Sequence, residues 1–355
     1  ETALPGDALI QLILKSPVDL MWFGGIGTYV KATHESHLDV GDQANNLVRI
    51  NATEIQARII GEGANLGFTQ KARLEFAANG GRLNTDAIDN SAGVNMSDYE
   101  VNIKILLQTL ITEGKIDSEK TRNTILEKAT ETVSDLVLSN NRGQHQLLSM
   151  DMLWAQSEPK RFAAFTSHLV ENGLNMIDED IPEACRIGDT IQPSFSRPVL
   201  AILQAYAKME LFEVLQTSTF INHPSLDTYL SNYFPKSIQQ LFKDNHVTHR
   251  LRKEIISTVL TNNLINQSGM TAFFQLHQDT GQSLARIAEA YFIIDTIMPT
   301  QKKRSAIRKK HPELATQYTQ WIDLEKTNQS ICRKWLMGQS DNWLTLDSID
   351  KIQKN

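Results

Sequence analysis

Ala57-Arg58-Ile59-Ile60-Gly61 runs without a break into Glu62-Gly63-Ala64-Asn65-Leu66-Gly67. A short β-prone run that ends in small residues and an asparagine reads as a strand delivering its carboxyl end to a turn. The pattern recurs upstream, where Val18 to Trp22 leads into Phe23-Gly24-Gly25-Ile26-Gly27-Thr28. It recurs downstream, where Arg82 to Ile88 overlaps Asp86-Ala87-Ile88-Asp89-Asn90-Ser91-Ala92-Gly93-Val94. Between these strand candidates, Leu47 to Ile55 and Thr69 to Ala78 have helical composition. Strands alternating with helices of this length predict a parallel sheet, and ligands of such sheets sit outside the carboxyl ends of the strands.

The three clusters after the strands are therefore the candidate sites. Glycine and alanine let a flat or charged ligand approach the backbone, and asparagine offers both a donor and an acceptor. Gly61, Gly63 and Gly67 come close to G-x-G-x-x-G, but the third glycine is one position late and no acidic residue ends a following strand as a phosphate loop requires. Gly25-Ile26-Gly27-Thr28-Tyr29-Val30 fails too, with Val30 where the third glycine belongs. On pattern alone, turns of an α/β domain that bind nothing remain an open reading.

Beyond Ser97 the chain reads as helical, with roughly eight to ten helices and no convincing strand. Val101, Ile105 and Leu106 are spaced for one apolar face, as are Leu251, Ile255, Val259 and Leu260. Prolines such as Pro159, Pro193 and Pro198 fall between or at the starts of these runs, and Trp154, Trp321, Trp335 and Trp343 are expected in the core. Ser97-Asp98-Tyr99-Glu100 reads as a capping box opening a helix. His34 and His37 lack a third ligand, so no metal site is expected. Lys302-Lys303-Arg304, with Arg308, Lys309 and Lys310, reads as a solvated helix face, because no aromatics interleave for base stacking. Asp39-Val40-Gly41-Asp42 has no evident task.

The 355 residues allow two domains or so, and 41% hydrophobic with 21% charged residues is a globular balance. Lys and Arg total 35 against 41 Asp and Glu, a net charge of -6, which argues against nucleic acid as the main partner. No apolar run approaches the ~20 residues that cross a bilayer, so no membrane partner is expected. Cys185 and Cys332, with no C-x-x-C, read as reduced thiols of a cytoplasmic protein. The start Glu1-Thr2-Ala3-Leu4-Pro5 suggests a cut from a longer protein.

Glu62 to Asn65, Thr85 to Val94 and Ser97 to Val101 resemble, in order and spacing, the E-G-A-N, P-D-x-x-A-N-A-G-G-V and S-Y-F-E-W runs of the glutamate dehydrogenases. Trp22 to Val30, Gly61 to Gly67 and Asn84 to Val94 look almost identical to stretches of the large-subunit, NAD-specific class, and Ser196-Arg197-Pro198 to Lys208 fits that class as well. The resemblance implies an α/β plus all-α protein: residues 1–112 as the C-terminal part of a Rossmann-type domain with a partial parallel sheet, then a helical C-terminal domain over residues 113–355. It implies NAD as cofactor, with Asn65 and Asn90 at the nicotinamide and its ribose and Gly24 and Gly25 beneath the cofactor. Val94 and Ser97 would line the pocket for L-glutamate and 2-oxoglutarate, Ser97 donating to the side-chain carboxylate. Ser91, Ala92, Asp98 and Tyr99 depart from the wider family's pattern. The family's catalytic lysines and aspartate lie upstream of residue 1, so this chain is expected to hold no catalytic residue and to be inactive alone. A homo-oligomer is expected for the full-length protein. Two alternatives stand beside this reading: another amino acid dehydrogenase, with an apolar residue in the place of Ser97, and a non-enzymatic helical scaffold.

Overall fold

The computed structural model describes residues 4–186, 195–245 and 249–338, so Pro193 and Trp343 lie outside the described residues. Two units share the chain: Glu1–Gly93 with Glu158–Gln204, and Val94–Ser157 with Ala205–Asn355. Together they make an α/β plus all-α protein.

The first unit contains α1 (Gly6–Leu14), β1 (Leu20–Phe23), β2 (Val30–Lys31), α2 (His37–Val40), β3 (Ile50–Asn51), β4 (Ile59–Glu62), α3 (Gln70–Ala78) and α4 (Asp86–Asp89). β1 and β4 pair in parallel from Leu20 opposite Ile59 to Phe23 opposite Glu62, and a parallel bridge joins Ile59 to Arg82. β2 and β3 form a second parallel pair, Val30 opposite Ile50. Alternation along the strands sends Phe23 and Ile60 to one side, where they meet Phe68, Ala72, Phe76 and Leu83 in the core. Phe23 and Phe68 meet edge to face at 5.3 Å, and each such buried ring contributes about 1.5–3 kcal/mol. The opposite side keeps Leu20 56%, Trp22 60% and Ile59 41% exposed.

Thr69 caps α3 through its hydroxyl, which accepts from the Ala72 amide at 3.0 Å, in agreement with the helix expected there. Two expectations fail. Leu47 to Ile55 is not helical: Ile50 pairs with Val30, and Ala52–Glu54 closes one 3-10 turn, with Asn51 and Glu54 forming a capping box. Arg82 to Ile88 is not a strand: only Arg82 makes a bridge, and Thr85, extended, starts α4 by accepting from the amides of Ile88 and Asp89.

The second unit is helical, and after Arg82 no strand occurs among the described residues. In chain order follow α5 (Ser91–Thr112), α6 (Glu119–Ser157), α7 (Pro159–Glu171, in the first unit), α8 (Arg197–Thr217, in the first unit as far as Gln204), α9 (Asp227–Tyr233), α10 (Lys236–Asn245), α11 (Arg252–Ser268), α12 (Ala272–Thr280), α13 (Leu284–Ile297), α14 (Thr300–Lys310) and α15 (Leu314–Leu336). Ile103, Leu106, Leu107 and Leu110 form the buried face of α5, and Val101, expected there, is exposed. On α11, Ile255 and Leu260 are buried as expected, joined by Ile256 and Leu264. Ser97 opens no helix, because α5 already begins at Ser91, and Glu100 pairs with Lys104 instead. Trp154, Trp321 and Trp335 are buried. The basic run lies on α14, but Arg304 departs from a solvated face: it is buried, 3.1 Å from the wholly buried Glu325. Burial pushes the Glu325 carboxyl up to about 7, with Arg304 and the Tyr291 hydroxyl pulling against it.

Candidate functional site

β1 and β4 end together, so Gly24-Gly25 and Gly63-Ala64-Asn65 leave the sheet side by side, tied by the Ala64 amide donating to the Phe23 carbonyl at 3.0 Å. Trp22 lies against this turn so closely that a Cβ on Gly63 would stand 2.3 Å from its ring, and one on Gly61 would stand 2.4 Å from it. With the indole in this position neither glycine can carry a side chain. Asn90, at the C-terminal end of α4, donates its Nδ2 to Asn65 Oδ1 at 3.0 Å. Gly24, Gly25 and Asn65 are exposed and Asn90 is half-buried, so the two amides and the bare glycine backbone share the carboxyl end of the sheet.

A buried charge network sets that arrangement. Arg73 on α3 holds Glu62 with two parallel hydrogen bonds, Nε to Oε2 at 2.8 Å and Nη2 to Oε1 at 2.9 Å, and reaches Asp86 at 3.1 Å. Glu62 also accepts from the Phe68 amide, Asp86 from the Leu66 amide, and Asp89 from the Glu62 amide. Asp86 and Asp89 thus fasten the asparagine turn to α4, and Glu62 ties it to α3. Asp89 also receives Asn84 Nδ2, and Arg197 at the start of α8 donates to Asn84 Oδ1. Glu62, Asp86 and Asp89 keep Arg73 charged, raising its pKa against the desolvation of its burial. Leu66 sits at φ 64, a left-handed conformation that a leucine adopts only when its surroundings impose it. The Asp86 bond to its amide is one such constraint.

A second clamp holds the Gly24–Thr28 turn and gives the segment around Asp39–Asp42 its task. Asp42 Oδ2 accepts from the Thr28 amide at 2.8 Å and from Asn45 at 2.7 Å, and Arg49, buried, donates to the Thr28 carbonyl. The Thr28 amide, first among several donors, holds the Asp42 carboxyl below the usual range. His37 Nδ1 faces Arg49 Nη1 at 2.9 Å, and burial, then that cation, lowers its pKa. Among the described residues no group of three His, Cys, Asp or Glu is arranged to hold a metal ion.

Val94 and Ser97 belong to the second unit, on α5, where both are exposed and three residues apart, hence on one helix face. A cavity of about 510 Å3 in the first unit, bounded by Arg58, Phe76 and Arg82, lies at the amino ends of the strands, the wrong end for a ligand of a parallel sheet. The positioning residues Glu62, Arg73, Asp86, Asp89 and Arg49 were not singled out as such by sequence reasoning. The available signal was a carboxylate ending an apolar strand, with an arginine on the next helix.

Residues 1–151 match the family model described as bacterial NAD-glutamate dehydrogenase, catalytic domain, and residues 192–352 match that described as glutamate dehydrogenase, C-terminal. The NAD-specific glutamate dehydrogenase of Pseudomonas aeruginosa is 42% identical over 81% of this chain and 18% of its own length. That of Mycobacterium tuberculosis is 40% identical over 81% of the chain and 18% of its own length, and that of Halomonas elongata is 36% identical over 99% and 22%. The chain thus spans about a fifth of the length of the curated relatives it matches. With matches to both models and this identity to three relatives, the chain belongs to the bacterial NAD-glutamate dehydrogenase family.

Proposed function

We propose that the full-length protein oxidises L-glutamate with NAD, and that the first unit of this chain holds the nicotinamide side of the cofactor. The α-carbon of glutamate would lose a hydride, leaving an imine that water converts to 2-oxoglutarate and ammonium. Bound NAD supplies the hydride acceptor. The observation that carries the reading is the contact of Asn90 with Asn65 beside the exposed Gly24-Gly25 backbone. Two adjacent amides can hydrogen-bond a carboxamide and ribose hydroxyls, while glycine lets a flat ring lie against the chain. Trp22 and the Glu62–Arg73 pair hold those groups still, which lowers the ordering cost of binding.

Asn90→Ala in the full-length protein is expected to weaken NAD binding about tenfold, the loss of a hydrogen bond of ~1.4 kcal/mol. Titration by NADH fluorescence measures it, and an unchanged affinity in a folded variant would refute the assignment. For Val94 and Ser97 the support for a substrate role is the family resemblance and their shared exposed face on α5. Asp89, Glu62 and Asp86, the carboxylates nearest the paired asparagines in sequence, are committed to backbone amides and to Arg73, and are poorly suited to move a proton. Residues 1–355 alone are therefore expected to form no NADH from glutamate, and a measurable rate would overturn that. The family resemblance also supports a homo-oligomeric, cytoplasmic full-length protein, and its mass in solution tests the first. No helix among the described residues is long and apolar enough to cross a membrane.

A further inference from the structure

In the second unit α6, α11 and α14 border a cavity of about 650 Å3, within the range of small-molecule sites. Its walls are unlike an ordinary seam between helices. Asn140 and Gln146 line it from α6, Asn262 and Asn263 from α11, and none of these four amides has a hydrogen-bond partner among the described residues. Gly143 widens the gap between the two helices, since a Cβ there would come 3.3 Å from the Asn266 amide nitrogen. In the same wall Asn266 Oδ1 and Arg304 Nε are buried without a partner. A roomy space ringed by unspent polar groups calls for a polar occupant.

The charge of the walls selects its sign. α14 contributes Arg304, Ser305 and Arg308 from a helix with no acidic residue. Glu325 balances Arg304, but Arg308 makes no ion pair among the described residues and stands 5.5 Å from the Trp321 ring. The acidic side chains of the lining are Asp98 and Glu254. Glu254 lies about 20 Å along α11, at the 1.5 Å rise of a helix, from Gln267, whose carbonyl accepts from Arg304, beyond the ~8 Å reach of charges in physiological salt.

We propose that this cavity binds a small oxyanion-bearing metabolite, with Arg308 and Ser305 holding the oxyanion and the amides of Asn140, Asn262 and Asn263 hydrogen-bonding its polar body. A guanidinium with a neighbouring hydroxyl suits a carboxylate or a phosphate ester, and charge-assisted bonds to it are the strong ones. Calorimetric titration of the full-length protein with AMP, inorganic phosphate and succinate tests this, the tighter probe assigning ester or carboxylate. Saturable binding should fall about tenfold in Arg308→Ala and change by less than about twofold in Lys302→Ala, which alters α14 away from the cavity. Where Arg308→Ala disturbs Trp321, Asn262→Asp serves instead, its carboxylate abolishing binding by repulsion. Absence of saturable binding of every probe overturns the proposal. So does binding that the cavity variants leave unchanged, or that Lys302→Ala weakens equally.

Discussion

Arg73→Ala is expected to destabilise the first unit by about 3–5 kcal/mol, the cost of leaving a buried carboxylate without its counter-charge. Glu62 is 1% exposed and takes two bonds from Arg73. Removing the guanidinium strands that charge, leaving it the amide of Phe68 as a donor, and also deprives Asp86 of its cation. Burial already pushes the Glu62 carboxyl up, so the variant would take up a proton there sooner than unfold at once. Its deficit should therefore shrink as pH falls. Glu62→Met with Arg73→Met removes both charges and should cost far less than Arg73→Ala, because methionines of similar volume fill the space without desolvating an ion. Urea unfolding of the three proteins at neutral and acid pH decides it. Equal losses in the single and double variants would show that packing, not charge, holds the asparagine turn to α4.

How far this arrangement can be read from the chain depends on the range of each interaction. Thr69 and α3 were legible because a cap and a helix are local, and β1 and β4 because each is an apolar run that stops at glycine. Ile50 was not, since its strand exists only by pairing with Val30, and the residues around it carry helical composition. Thr85 is another case: β-prone neighbours suggest continued extension, but the side chains of Asn84 and Asp89 and the Thr85 carbonyl turn the chain into α4. Asn65 could be singled out by its residue type after a strand end, and Asn90 by residue type alone, since it follows a helix and not the strand expected before it. The clamps beneath them could not, because Glu62 with Arg73 and Thr28 with Asp42 and Arg49 meet through tertiary geometry. Arg304 shows the same limit from the other side, a cation in a basic run that is drawn inward by Glu325, a residue of another helix.

Lys208 on α8 should give the second large effect, with the opposite sign. Its Nζ is buried with no hydrogen-bond partner among the described residues, and burial lowers its pKa to about 7. A lysine of an unfolded chain titrates near 10.4, so between that pH and about 7 the unfolded state binds more protons than the folded one. Stability must then rise with pH across that window and, on falling pH, must be lost until the folded group itself charges near 7. At one pKa unit per 1.36 kcal/mol, the penalty at neutral pH is about 2–4 kcal/mol once relaxation of the site is allowed for. Lys208→Met keeps the aliphatic stem and removes the amine, so it should stabilise the chain by that amount near pH 7 and by little above about pH 10.5. Chemical denaturation of both proteins across this range gives the difference directly. Curves that stay parallel from neutral to alkaline pH would mean that the amine finds water or a partner in the folded chain, and that its burial costs nothing.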